Sequence, residues 1–333
     1  MLISKVLLPL AKHVLFYPQI KNNTRKLDPE YKQIIETNLL KHVTALANIP
    51  RYTNNPRGLE EAANYIKSQW EELKLQIEEQ EYPGPEGDTN KYKNLIVSFG
   101  PKDAPRIIIG AHYDSEPTSQ TPGADDNASG IAGIIEVSRL LKELNPRLTR
   151  RIDVVAYSTE ERPHCGLECK DHDEHNKYVP YMGSYVHAKS LKDNNVPVIG
   201  AVILEMIGYY SSKNNSQRYP IDALKLFYPT KGDFIGVIGN LENFDLIQKV
   251  KTGLKQNSSI KVRSISIPPS VLPDVSRSDH DSYNILGFDA LMLNNTAEYR
   301  NRNYHKKTDT PDTLDYKKMT EVVVGVFGTI LGL

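Results

Sequence analysis

Apolar residues recur at helical spacing twice near the start of the chain. Asp28 followed by Pro29 is a helix-start signal, and Tyr31, Ile35, Leu39, Val43 and Leu46 form one stripe before Pro50 ends it. A second helix follows Asn55-Pro56, with Leu59, Ala62, Ala63, Ile66, Trp70 and Leu73 on its apolar side. Trp70, the only tryptophan, is thereby assigned to the core. From residue 75 the period shortens: β-rich runs occupy 75–82, 94–99, 106–114, 151–158, 196–208, 233–240 and 288–295. Helical patterns separate them at 129–145, 184–193, 241–256 and 315–331, the last with Tyr316, Met319, Val323, Val326, Phe327 and Ile330 on its stripe. Strands alternating with helices predict an α/β fold whose largely parallel sheet is covered on both faces.

No internal repeat is visible and no linker is polar enough to divide the chain. Residues 28–333 are therefore read as one domain, preceded by a peripheral segment, 1–27. Two long irregular stretches, 162–183 and 209–231, each follow a strand carrying acidic residues, and connections of that length are usually functional loops or lids.

The 333 residues and an apolar content of 39% suffice for a sizeable core. The 41 basic and 41 acidic side chains balance, so nothing in the overall charge favours nucleic acid or an anionic membrane as partner. A compact small-molecule or peptide substrate suits that balance better. Two cysteines are too few for a disulfide scaffold. In the segment MLISKVLLPLAKHVLFYPQI, Lys5 and Lys12 interrupt the apolar run before it reaches signal-peptide or membrane-span length. The expectation is a soluble protein without stable membrane insertion, with the cytoplasm favoured over export. No feature sets an oligomeric state.

In an open α/β sheet ligands bind beyond the carboxyl ends of the strands, so polar residues there carry the candidate chemistry. RIIIGAHYD ends in His112 and Asp114; RIDVVAYSTEE ends in Glu160 and Glu161; AVILEMIG carries Glu205; and FDALMLNN leads through YRNRNY to His305. The loop TPGADDNASG adds Asp125 and Asp126 ahead of a helix. Read alone, most of these have a structural explanation: a solvated turn for the Glu pair, a helix cap for Asp125, Asp126 and Ser129. Glu205 does not, because an unpaired carboxylate inside VILEMI would cost several kcal/mol or be forced neutral. A buried acid needs a cation. Two histidines with three carboxylates make the N/O donor set that suits zinc, and five ligands exceed the three of one catalytic zinc. Two zincs sharing one carboxylate fit the count. The chain has no H-E-x-x-H, no G-x-S-x-G and no G-x-x-x-x-G-K-[ST] phosphate loop.

The phrases GAHYDS at 110–115, PGADDNASG at 122–130, the pair Glu160-Glu161, MGS at 182–184, LEMIGYY at 204–210, SDH at 278–280 and YHKKTDTPDTLDY at 304–316 stand in an order that resembles one family. It is the zinc-dependent exopeptidase family of the bacterial secreted, leucyl-type aminopeptidases and the glutaminyl cyclases, and the similarity runs from about residue 40 to the C-terminus. The resemblance implies a three-layer α/β/α sandwich around a mixed, mostly parallel twisted sheet. It further implies that Asp126 bridges two zinc ions, that Glu161 and His305 complete one site and His112 and Glu205 the other, and that Glu160 is the general base. Asp114 would orient the His112 imidazole, with Asp279 and Asp309 as further supports behind the ligands. Many members have Asp where this chain has Glu205, which leaves one zinc as the alternative to two.

The implied activity is removal of N-terminal residues from peptides. Cyclisation of N-terminal glutamine, carboxypeptidase or dipeptidase action, and a non-catalytic interaction role are the other readings. The stretch 162–183 is similar to an insert of the cyclases, whereas Tyr304 stands where animal cyclases have tryptophan. That stretch holds His164, Cys165, Cys169, His172 and His175, a tract for a further metal or, alternatively, for a Cys165–Cys169 disulfide or two free thiols.

Overall fold

The structure is a computed structural model that describes residue 27 and residues 29–117, 119–161 and 179–333. The five Cys and His residues of the 162–183 stretch, and the apolar N-terminal segment up to residue 26, lie outside the described residues.

Two helices open the described chain, α1 (Pro29–Ala47) and α2 (Pro56–Glu72), the second capped by the Asn55 side chain on the Gly58 N–H with Pro56 in its first turn. Then come β1 (Ile77–Pro83), β2 (Lys91–Phe99), β3 (Arg106–His112), α3 (Gly130–Leu144), β4 (Arg151–Tyr157), α4 (Gly183–Asp193) and β5 (Val198–Glu205). The rest is β6 (Phe234–Gly239), α5 (Phe244–Asn257), β7 (Lys261–Ser266), α6 (His280–Ile285), β8 (Ala290–Asn294) and α7 (Tyr316–Ile330).

The eight strands form one sheet in the order β1-β2-β4-β3-β5-β8-β6-β7. Pairs β3–β4, β3–β5, β5–β8 and β6–β7 are parallel, whereas β1–β2, β2–β4 and β6–β8 are antiparallel. Successive residues of the apolar run in β3 serve opposite faces: Ile107, Ile109 and Ala111 pack with α1, α2, α3, α5 and α7, and Ile108 packs with α4 and α6. The expected α/β architecture, a mixed sheet with helices on both sides, is what the chain adopts. Trp70 is fully buried in the larger core.

Two elements depart from the sequence reading. The edge strand β7 and the short helix α6, which follows the 273–278 turn, occupy stretches to which the sequence reading assigned neither strand nor helix. No described helix is long and apolar enough to cross a membrane.

Two fully buried histidines set an acid limit on this core. His187 on α4 shares a 2.6 Å hydrogen bond with the Tyr283 hydroxyl, and His280 Nε2 donates to the Val275 carbonyl at 2.7 Å. Burial holds each imidazole down at about 4. An unfolded histidine titrates near ~6.5, so between those values the unfolded chain binds the extra proton and stability falls as pH falls. Unfolding free energies from urea titrations at pH 7 and pH 5 should differ by about 2 kcal/mol per histidine, and His187→Gln should remove about half of the combined difference.

Candidate metal centre

Strands β4, β3, β5 and β8 run parallel, so their carboxyl ends open on one edge of the sheet. His112 is the last residue of β3 and Glu205 the last of β5; Glu160 and Glu161 follow β4 by a few residues, and His305 lies within the long loop between β8 and α7. The loop before α3 brings Asp126 into their midst; its Asp126–Asn127 peptide bond is cis.

Two groups of three ligand atoms result. His112 Nε2 lies 3.3 Å from Glu205 Oε2 and 3.4 Å from Asp126 Oδ1. His305 Nε2 lies 3.1 Å from Asp126 Oδ2 and 3.3 Å from Glu161 Oε2. Asp126 thus turns one carboxylate oxygen to each group. Donors held tetrahedrally at zinc–N and zinc–O lengths sit about 3.3 Å from one another, and the histidine-to-carboxylate distances in each group match that demand. The Nε2 atoms of His112 and His305 and Glu161 Oε1 are buried and have no hydrogen-bond partner among the described residues. Orphaned donors and acceptors converging this way fit a cation.

The electrostatics agree. Burial opposes charge on His112 and His305, yet the facing carboxylates outweigh it. His112 is held well above the ordinary imidazole range by Glu205 and Glu160, and His305 goes up to about 11 through Glu161 and Asp126. Burial alone would raise Asp126, but the two histidines pull it below the usual carboxylate range. Burial, reinforced by Asp126, lifts Glu161 to about 7. Without metal, protons stand in for the missing positive charge.

Glu160 lines the cavity beside both groups, its Oε2 3.9 Å from His112 Nε2. Burial, with the neighbouring acids Glu161 and Glu205, lifts its carboxyl well above the ordinary range. Asp114 acts on three residues at once: Oδ1 is 3.4 Å from His112 Nδ1 and accepts the Glu160 N–H at 3.2 Å, while Oδ2 accepts the Glu161 N–H at 2.9 Å. Asp309 accepts the backbone N–H groups of Asp125 and Asp126 at 3.0–3.1 Å. Asp279, fully buried before α6, hydrogen-bonds to none of the six residues grouped here, although burial lifts it to about 7 and His112 pulls it back.

The two adjacent acids of the loop differ in what surrounds them. Asp125 accepts from the Gly208 N–H and from the Asn295 and Asn301 amides, each at 2.8 Å, and so faces the fold rather than the cluster. Asn127 fixes the other side of the loop, accepting from the Gly130 and Met206 N–H groups and donating to the Leu204 carbonyl next to Glu205. The fully buried Arg51 donates to the carbonyls of Leu46, Pro122 and Gly123, tying α1 to the same loop. Sequence reasoning missed Arg51, Asn127, Asn295 and Asn301. Asn127 had a signal in its place within PGADDNASG; the others had none.

A cavity of about 580 Å³ opens from the cluster over the sheet. Its floor follows the strand register in two rows. Glu205, Asn294, Gly236 and Arg263 pair across β5, β8, β6 and β7, and Met292, Ile238 and Ile265 form the next row down. Three strand spacings of about 4.8 Å carry the first row roughly 14 Å from Glu205. Residues of both 209–231 and 264–278 complete the walls, among them Leu224, Tyr228 and Leu272.

A model of peptidase family M28 matches residues 94–328, a span that holds all six grouped residues. The uncharacterized protein YfbL of Escherichia coli (strain K12) is 40% identical, over 83% of this chain and 81% of its own length. Leucine aminopeptidase 1 of Blastomyces gilchristii is 23% identical, over 93% of this chain and 74% of that one. Among solved structures, the glutaminyl cyclase of Porphyromonas gingivalis superposes with a TM-score of 0.68 at 17% identity, over 89% of this chain and 97% of its own; that likeness speaks to the fold. The family match runs from β2 into the last helix, across every strand end that supplies a ligand atom, and this chain belongs to peptidase family M28.

Proposed function

We propose that the chain is a zinc-dependent aminopeptidase that hydrolyses N-terminal residues from peptides, with two zinc ions shared through Asp126 and Glu160 as general base. The observation that carries this reading is the division of the Asp126 carboxylate, Oδ1 toward His112 and Glu205, Oδ2 toward His305 and Glu161. His112, Asp126 and Glu205 would hold one ion; Asp126, Glu161 and His305 the other.

Bound zinc supplies a Lewis acid that polarises the scissile carbonyl and makes water acidic enough to attack near neutral pH. The chain's own residues do the rest. Glu160 accepts the proton of the attacking water and returns it to the leaving amine, and a carboxylate raised in basicity by burial suits that exchange. Asp114 keeps the His112 ring and the Glu160–Glu161 backbone in register. The Met292–Ile238–Ile265 row offers an apolar floor beside the cluster for the terminal side chain of the substrate.

Elemental analysis of the purified protein, coupled to release of coumarin from a panel of aminoacyl coumarin amides, tests this. Two zinc per chain are expected, with turnover abolished by 1,10-phenanthroline and restored by added zinc. Turnover that survives complete metal removal would overturn the reading. An N-terminal glutaminyl peptide belongs in the panel, because cyclisation without cleavage would move the reaction to acyl transfer.

A further inference from the structure

The two histidines of the centre are held in different ways. His112 has the Asp114 carboxylate behind its Nδ1 at 3.4 Å. His305 has no such partner among the described residues, sits in a loop at φ 53°, and remains partly exposed. Its ring lies instead against the ring of Tyr304, with centroids 3.8 Å apart and planes at 23°.

Tyr304 is in turn fixed by Arg277, whose Nη2 donates to the Tyr304 hydroxyl at 3.2 Å. The same guanidinium is gripped through Nη1, by Glu298 at 2.6 Å and by Asp274 at 3.2 Å. Glu298 belongs to the same loop as His305, whereas Asp274 belongs to the turn just before Arg277, so the arginine bolts one stretch to the other. Tyr299 adds a second tie, its hydroxyl donating to Asp274 Oδ1 at 3.0 Å. Immediately after Arg277, Ser278 Oγ donates to Glu205 Oε2 at 2.8 Å. One short segment therefore reaches a ligand of each group: Glu205 through Ser278, and His305 through Arg277 and Tyr304.

We propose that Arg277 is a positioning residue for the metal centre, acting through the Tyr304 ring to orient His305 and through its own backbone to place Ser278 against Glu205. This rests on the zinc reading above. The fork geometry of arginine is what the arrangement uses, since one nitrogen serves two carboxylates while the other reaches the phenol; a lysine has no second planar donor to divide in that way. The role is separable from plain stabilisation. An ion pair with a side chain 41% exposed adds little to global stability. A residue that orients a metal ligand changes metal affinity by about 10–100-fold.

The experiment compares the full-length wild-type protein with Arg277→Gln, Arg277→Lys and Tyr304→Phe. Zinc affinity is read by competition with a chromophoric chelator, ligand geometry by the visible spectrum of the cobalt(II) form, and kcat and KM separately. Arg277→Gln should weaken zinc by about 10-fold or more at the His305 site, with a smaller loss at the Glu205 site, change the cobalt spectrum and lower kcat, with its urea midpoint unmoved. Arg277→Lys should recover part of the affinity. Tyr304→Phe keeps the stacked ring and loses the hydroxyl contact, so it should shift affinity the same way by less. Wild-type zinc affinity, spectrum and kcat in Arg277→Gln would overturn the proposal, as would a rise in KM alone, which would make Arg277 a substrate contact. In either case a wild-type protein carrying two zincs leaves the metal reading standing; a wild type that takes up none ends both.

Discussion

Replacement of Glu160 by Gln is expected to leave metal content at the wild-type value while lowering kcat by about 10²–10⁴-fold. The amide matches the carboxylate in size, so the Asp114 contacts with the Glu160 and Glu161 backbone have no reason to shift. Glu160 also supplies none of the six atoms of the two ligand groups, in which each histidine lies 3.1–3.4 Å from its two carboxylates. What the substitution removes is the ability to take a proton. An interaction made only in the transition state lowers kcat and kcat/KM together, so KM should stay near its wild-type value. Glu160→Asp keeps the acid but withdraws it by one methylene, and its kcat should fall between the two. Wild-type kcat in Glu160→Gln would take Glu160 out of the proton-transfer role, and loss of metal from that variant would make it a ligand instead.

How legible the molecule was follows from where its polar groups are buried. Strands β3, β4 and β5 were plain because both faces are covered, which writes near-continuous apolar runs such as IIIGA and AVILE. The edge strand β7 was lost because KVRSIS alternates with basic residues, and α6 because six residues give no helical period. Among the ligand residues, Glu205 showed through for the same reason as the strands: an acid inside the apolar run VILEMI is costly unless something pairs with it, whereas His112, Asp126, Glu161 and His305 stood out only through the order of the motifs that carry the resemblance. Their supports did not. Asn295 and Asn301 lie some 170 residues along the chain from the Asp125 carboxylate they hold, and Arg51 some 70 from the carbonyls it ties. Nothing local marks an amide or a guanidinium as belonging to a distant loop; only the sheet order brings these groups together.

The sharpest test of the shared carboxylate is Asp126→Ala, which should cost the protein both zinc ions where His305→Ala costs it one. Each group has three protein donors, the number a catalytic zinc takes before water completes its coordination. Losing Asp126 leaves His112 with Glu205 on one side and His305 with Glu161 on the other, two donors apiece, and both sites should empty at zinc concentrations that fill the wild type. The loop itself has independent anchors, because the Asp309 carboxylate and the Asn127 side chain bind backbone and neighbours rather than the Asp126 side chain. A folded chain without metal is therefore the expected product, with kcat/KM below detection. His305→Ala removes a donor from one group only, and the His112–Asp126–Glu205 group should keep its ion. Elemental analysis of the two variants beside the wild type gives the ratio directly. One zinc retained at wild-type affinity in Asp126→Ala would mean that the two groups do not share this carboxylate, and the bridging assignment would fall.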